Sequence, residues 1–117
     1  MDEQHKKTCG KISRNMIALR KCLSEAAFYE QLAEECSELA HIAQKKARKL
    51  RGENYTPMTM EEIDSNLIEE ITDVELCRLV LCLTPNIDIM DQKVDRWFSR
   101  VINDKYEKGK DIYNGLS

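Results

Sequence analysis

The stretch Gln31-Leu-Ala-Glu34-Glu35-Cys-Ser-Glu38-Leu-Ala-His41 decides how the chain is read. It holds no helix breaker, and its apolar residues Leu32, Cys36 and Leu39 recur at helical spacing. On a helix Glu35 and Glu38 stand a turn apart on one face, with Glu34 about 100° round from Glu35. Two carboxylates that close repel each other unless a cation, a proton or solvent lies between them. A solvated face is the ordinary account of such a pair. A second stretch changes the balance. Leu67-Ile-Glu69-Glu70-Ile-Thr-Asp73-Val74-Glu75 again sets two carboxylates, Glu70 and Asp73, three positions apart. They fall among Ile63, Leu67, Val74, Cys77 and Leu81, on a face that should turn inward and that carries no basic residue. A carboxylate on an apolar face needs a partner. Two such pairs facing each other would form a four-carboxylate cage suited to a hard divalent cation.

The rest of the chain bounds this reading. With 117 residues there is room for one domain and one core. The composition, 42% apolar and 33% charged with few aromatics and little Gly or Pro, suits a helical domain better than a sandwich or a disordered chain. A net charge of −3 gives no general electrostatic case for binding nucleic acid or a membrane. No apolar segment follows the polar N-terminus, so a secretory signal is not expected. The most apolar run, Leu76–Leu83, is too short for a membrane span and is interrupted by Arg78. Five cysteines, an odd count with no CxxC spacing, argue against a disulfide framework or a zinc site. Cys22, Cys36, Cys77 and Cys82 read as small buried hydrophobes, and the expected location is cytoplasmic.

In chain order, residues 1–10 read as a flexible polar arm, 11–108 as a single helical domain and 109–117 as a tail. Ile12, Met16, Leu19 and Leu23 mark a first helix over 11–23. Ser24 can cap a second over 25–51, with a core stripe of Leu32, Cys36, Leu39, Ala43 and Leu50 and with Glu35 and Glu38 on its shoulder. Its basic end, Lys45, Lys46, Arg48, Lys49 and Arg51, complements the helix dipole. Lys46 or Lys49, on the Glu35 side, could also reach a phosphate. Gly52 suits a left-handed stop, and 52–59 form a loop. The Thr59…Glu62 capping spacing starts a third helix over 60–83, apolar nearly all round in its second half and so central or at a subunit interface. Thr84-Pro85-Asn86 breaks it. Asn86 or Asp88 can cap a fourth helix bearing Ile89, Met90, Val94, Trp97, Phe98, Val101 and Ile102, with Lys93, Arg96 and Arg100 along one side and a stop at Gly109.

Three functions compete for these features. The first is Mg²⁺-dependent chemistry on a phosphate ester or anhydride, which works by positioning and charge neutralisation and needs no nucleophilic Ser, Cys or His. The second is a di-iron carboxylate bundle, which needs two Glu-x-x-His motifs. Glu38…His41 supplies one, but Asp73 stands where the other would need His. The third is a helical interaction module, which leaves Glu70 and Asp73 on an apolar face without a reason.

Glu34-Glu35-x-x-Glu38 followed by Glu70-x-x-Asp73 resembles the EExxE…ExxD pattern of the MazG-like nucleoside triphosphate pyrophosphohydrolases, of the all-α pyrophosphatase superfamily. The runs Gln31–Leu39 and Asn66–Val74 look like those of the small MazG-like proteins, and the resemblance covers residues 12–104. It implies an all-α fold, a four- to five-helix bundle whose core is completed by dimerisation into a homodimer or homotetramer. It implies hydrolysis of a nucleoside triphosphate to the monophosphate and pyrophosphate, with Mg²⁺, or Mn²⁺ in its place, as cofactor. Carried over by position, Glu35, Glu38, Glu70 and Asp73 would be metal ligands, and Glu34 a carboxylate that either supports those ligands from behind or orients water. Lys93, with Arg96 and Arg100 behind it, would hold the phosphates. Trp97 stands where some members have Asn, and would pack in the core or stack on a base. Cys77 replaces an aromatic found in many members. The base pocket would draw on the N-terminal part, with Phe28 or Tyr29 as candidates. Phosphoribosyl-ATP pyrophosphohydrolase, whose sequence is less like Asn66–Val74, is one rival within the fold, and a non-catalytic member that binds nucleotide or metal without turnover is a second, against which the complete acidic motif counts.

Overall fold

The computed structural model describes residues 2–53 and 55–105, which form four α-helices and no strand: α1 (Glu3–Cys22), α2 (Glu25–Arg51), α3 (Met60–Val80) and α4 (Ile87–Lys105). The chain is all-α. It divides into two compact units, Met1–Leu83 and Thr84–Ser117, so the domain expected over 11–108 spans parts of both. Gly109 and the tail over 109–117 lie outside the described residues.

In the first unit α2 and α3 pack against each other, and α1 lies against α3. The pair is antiparallel, because Lys46 near the end of α2 salt-bridges Asp64 near the start of α3. Local chemistry fixes the ends of α2 where the sequence put them. The Ser24 hydroxyl accepts from the Ala27 N–H at 3.1 Å. Gly52 takes φ 69° and satisfies the last carbonyls of the helix. The Thr59 hydroxyl likewise accepts from the Glu62 N–H at 3.1 Å and opens α3.

The packed seam of α2 differs from the expected stripe. Leu32, Glu35, Leu39, Ile42, Lys46 and Lys49 are among the buried or half-buried positions of α2, with Ala27, Phe28, Ala47 and Arg48, while Cys36, Ala43 and Leu50 are exposed. Glu35 therefore sits in the seam rather than on its shoulder, and Ile42 is buried in place of Ala43. The side a helix buries follows its neighbour, not the mean hydropathy of its residues. On α3, Ile63, Leu67, Glu70, Asp73, Val74 and Cys77 are buried or half-buried as expected, as is Leu81 at its C-cap. Cys77 is the buried cysteine of the chain; Cys22, Cys36 and Cys82 are exposed, contrary to the reading as hydrophobes of the interior.

Helix α1 begins earlier than its apolar residues suggested, so residues 3–10 are helical and not an arm. The Asp2 carboxylate accepts from the His5 N–H at 2.7 Å, a polar cap that starts a helix whose first turns carry no apolar stripe. No residue of α1 is buried. Its far end is tied down by Arg20, which donates from Nε to the Val80 carbonyl at 2.8 Å and from its terminal nitrogen to the Leu79 carbonyl at 3.0 Å.

Helix α3 ends three residues sooner than its apolar run implied. The Leu83 N–H donates to the Arg78 carbonyl and the Cys82 N–H to the Leu79 carbonyl, both at 3.1 Å. This is the same termination that Gly52 makes, but here Cys82 holds the left-handed position at φ 57°. A side chain there is unfavourable by about 1 kcal/mol. Cys82→Gly should therefore raise the unfolding free energy by roughly 0.5–1 kcal/mol, read as a higher urea midpoint at unchanged slope. No gain would mean that Cys82 makes a compensating contact.

In the second unit the Asn86 side chain, not that of Asp88, caps α4, accepting from the Ile89 N–H at 3.0 Å. Ile102 is buried and Phe98 and Val101 are half-buried, while Ile89, Met90, Val94 and Trp97 are exposed. Among the described residues no helix is long and apolar enough to cross a membrane.

Candidate metal centre

The α2–α3 seam brings Glu35, Glu38 and Glu70 together. Each offers a carboxylate oxygen, and these oxygens lie within 4.8 Å of one another. Glu35 and Glu70 are half-buried and Glu38 is exposed, so the group sits at the mouth of the seam. The Glu35 Oε1 accepts from Gln31 Nε2 at 2.7 Å. The Glu35 Oε2 and the Glu70 Oε2 are shielded from solvent and have no hydrogen-bond partner. A shielded acceptor without a donor is costly, and a carboxylate oxygen more so.

Electrostatics point the same way. For Glu35 the largest single influence, the Gln31 hydrogen bond, lowers the pKa. Desolvation and the charges of Glu38, Asp73 and Glu34 outweigh it, and the carboxyl is raised above its ordinary value. Glu70 is raised first by desolvation, then by hydrogen bonding with Glu38 and by the charges of Glu38, Asp73 and Glu35. The site holds more negative charge than its surroundings neutralise, and a cation would supply the missing partner for both shielded oxygens.

Asp73 is set slightly apart. It is not one of the three residues whose oxygens converge, so the expected four-ligand cage is a three-carboxylate group with Asp73 beside it. Asp73 lines an adjoining cleft together with Glu34 and Glu35. That cleft, of about 580 Å³, runs between Leu19 of α1 and its C-cap Leu23, Ala27 and Phe28 of α2, and Leu76, Cys77 and Val80 of α3. Phe28, one of the two aromatic candidates, lines it. Burial raises the Cys77 thiol, and the charges of Glu35 and Asp73 and the Cys36 thiol raise it further, so Cys77 is a poor nucleophile.

Of the basic candidates, Lys46 is engaged by Asp64 and closes the α2–α3 hairpin. It lies eight residues past Glu38, about 12 Å along the helix, so a phosphate contact there would compete with the Asp64 pair. Lys49 donates to the Thr56 carbonyl at 3.4 Å and braces the same loop. Lys93, Arg96 and Arg100 line one concavity on α4, in the second unit, with Asp95, Trp97 and Ser99. Trp97 is 65% exposed and does not pack in a core. Gln31 is the residue that sequence reasoning passed over; its place four before Glu35 on one helix face was the available signal.

The chain matches no known family model, no curated protein and no solved structure.

Proposed function

We propose that the chain hydrolyses a nucleoside triphosphate to the monophosphate and pyrophosphate with Mg²⁺, or Mn²⁺ in its place. The observation that carries this reading is the convergence of Glu35, Glu38 and Glu70 with two carboxylate oxygens shielded and unpartnered. An all-oxygen donor set of this kind fits a hard divalent cation. Glu35, Glu38 and Glu70 would hold it, with Asp73 adjacent. When bound, the cation neutralises phosphate charge and makes water a stronger nucleophile.

The chain's own residues supply the rest. Gln31 fixes Glu35 through its amide hydrogen bond and sets which oxygen faces the group. Glu34, on the wall of the cleft beside Glu35, can accept a proton from the attacking water. In the second unit Lys93, Arg96 and Arg100 share one concavity on α4, where their positive charge suits an anionic group. Ile68, Ile71, Leu76, Leu79 and Leu83 leave much apolar surface on and after α3 exposed. A second copy of the chain covering that surface would suit a homodimer or homotetramer.

The test is pyrophosphate release from a panel of ribo- and deoxyribonucleoside triphosphates, with and without Mg²⁺, for the wild type and Glu38→Ala. Glu38 is exposed, so its loss should leave the fold intact. Release should require Mg²⁺ and should fall by more than about 100-fold in the variant, since even groups that only support a metal ligand cost 10–100-fold. Turnover that survives Glu38→Ala would remove the carboxylate group from the mechanism.

A further inference from the structure

Helix α1 is held to the first unit by little. None of its residues is buried, and only Gly10 and Met16 are half-buried. Its apolar side chains Ile12, Ile17 and Leu19 are exposed, whereas α2 and α3 both contain buried residues. An element with so few buried apolar contacts opens locally at a lower free energy than the core it lies on.

Its junction with α2 is built to bend. Leu23, at φ −121° and ψ 152°, and Ser24, at φ −71° and ψ 154°, are both extended between the two helices. Rotation about those dihedrals swings α1 and leaves α2 as it is. The junction is also not packed solid, since a hollow of about 230 Å³ lies among Arg20, Leu23, Phe28, Val80 and Leu81.

Among the described residues, the hydrogen bonds that tie α1 to another element are both donated by Arg20. Their acceptors, the Val80 and Leu79 carbonyls, close α3, where intrahelical donors run out and the helix dipole is negative. A guanidinium answers both needs with a fixed fork of donors. What α1 covers is the cleft of about 580 Å³: Leu19 and Leu23 line it together with Glu34, Glu35, Asp73 and Cys77. Glu35 is one of the three converging carboxylates. The position of α1 therefore sets how open that flank of the site is.

We propose that α1 is a hinged lid over this flank of the carboxylate site, and that Arg20 is the positioning residue that latches it shut. The lid stands on the packing and the hydrogen bonds of the first unit, and does not depend on which reaction the carboxylates serve.

The structure supplies its own reporter. Cys77 is 8% exposed and lines the cleft with Leu19 and Leu23, so its thiol is reached when α1 swings away. The full chain is treated with iodoacetamide without ligand, and the rate at Cys77 is read by peptide mapping, apart from the exposed Cys9, Cys22, Cys36 and Cys82. Hydrogen exchange of the α1 amides is followed in parallel, because a helix detached from its neighbours frays. Arg20 is exposed, so Arg20→Gln should keep the fold. Loss of two hydrogen bonds from a charged donor should speed alkylation of Cys77 and exchange in α1 by about 10-fold. Exchange in α2 and α3 and the urea midpoint should change little. Arg20→Lys keeps the charge without the fork and should fall between the two. In the wild type, alkylation of Cys77 should be nearly flat in low urea, because a swinging lid exposes far less surface than global unfolding does. Alkylation that rises with urea as steeply as unfolding, or an Arg20→Gln variant that speeds α1, α2 and α3 alike, would overturn the lid. So would an unchanged rate at Cys77 in that variant, since Arg20 would then latch nothing.

Discussion

Glu70→Gln should stabilise the cation-free protein at pH 7, remove its stabilisation by Mg²⁺ and reduce pyrophosphate release by more than about 100-fold. The three effects share one cause. The folded protein raises the Glu70 pKa above its ordinary 4.5, so it binds that proton more tightly than the unfolded chain does. Such a group adds stability that is fully present below the unfolded pKa and is lost as pH rises through the folded one. At neutral pH the ionised carboxylate is an unfavourable neighbour of Glu38, Asp73 and Glu35. Glutamine keeps the size, removes the charge and can donate to Glu38. The variant's advantage in thermal melting without cation should therefore shrink as pH falls from 7 toward 4.5, where the wild type regains its proton. Glu35, also raised, reinforces the trend. Saturating Mg²⁺ should invert the order: a ligand at 100 times its Kd stabilises by about 2.7 kcal/mol, and the variant has lost a ligand. A variant that is no more stable at pH 7, or that still gains from Mg²⁺, would mean that the carboxylates are screened by solvent rather than awaiting a cation.

Ile63→Ala should have the largest effect on stability. Ile63 is 0% exposed, at the first turns of α3, in a unit whose other buried residues are Ile42, Cys77 and Val80. Truncating a buried isoleucine to alanine costs about 2–5 kcal/mol, from lost burial and from the cavity left behind. Domains of this size have about 5–15 kcal/mol in all. With so few fully buried side chains the variant should lose much of its cooperative melting transition. Leu50→Ala, on the same hairpin but 67% exposed, should change it little. Similar losses from both would show that exposed apolar residues such as Leu50 are covered in solution.

Capping chemistry is readable wherever the backbone needs a particular side chain. Ser24, Gly52 and Thr59 gave the ends of α2 and the start of α3 because each supplies a group that the helix end lacks. Two ends were hidden for physical reasons. Asp2 caps a polar helix whose first turns have no apolar periodicity to announce them. Cys82 adopts the left-handed position that glycine would have advertised. For the site, the paired spacing of Glu35, Glu38 and Glu70 was enough, because a helix face converts sequence separation into proximity. The offset of Asp73 was not, since it depends on how two helices rotate against each other. The cleft beside Phe28 needed α1 as a wall, and nothing in its sequence fixes where α1 docks.

The hairpin of α2 and α3 contains every carboxylate of the site, and only the segment 52–59 joins its halves. Closing so short a connection costs little chain entropy, and hairpins of neighbouring helices form early in folding because their contacts are local. Assembly of the site and closure of the hairpin are then one kinetic event. Like charges repel as the halves meet, so a cation present during folding would speed closure as well as slow opening, and the rate of reaching the native state becomes a property of the same three glutamates that define the site.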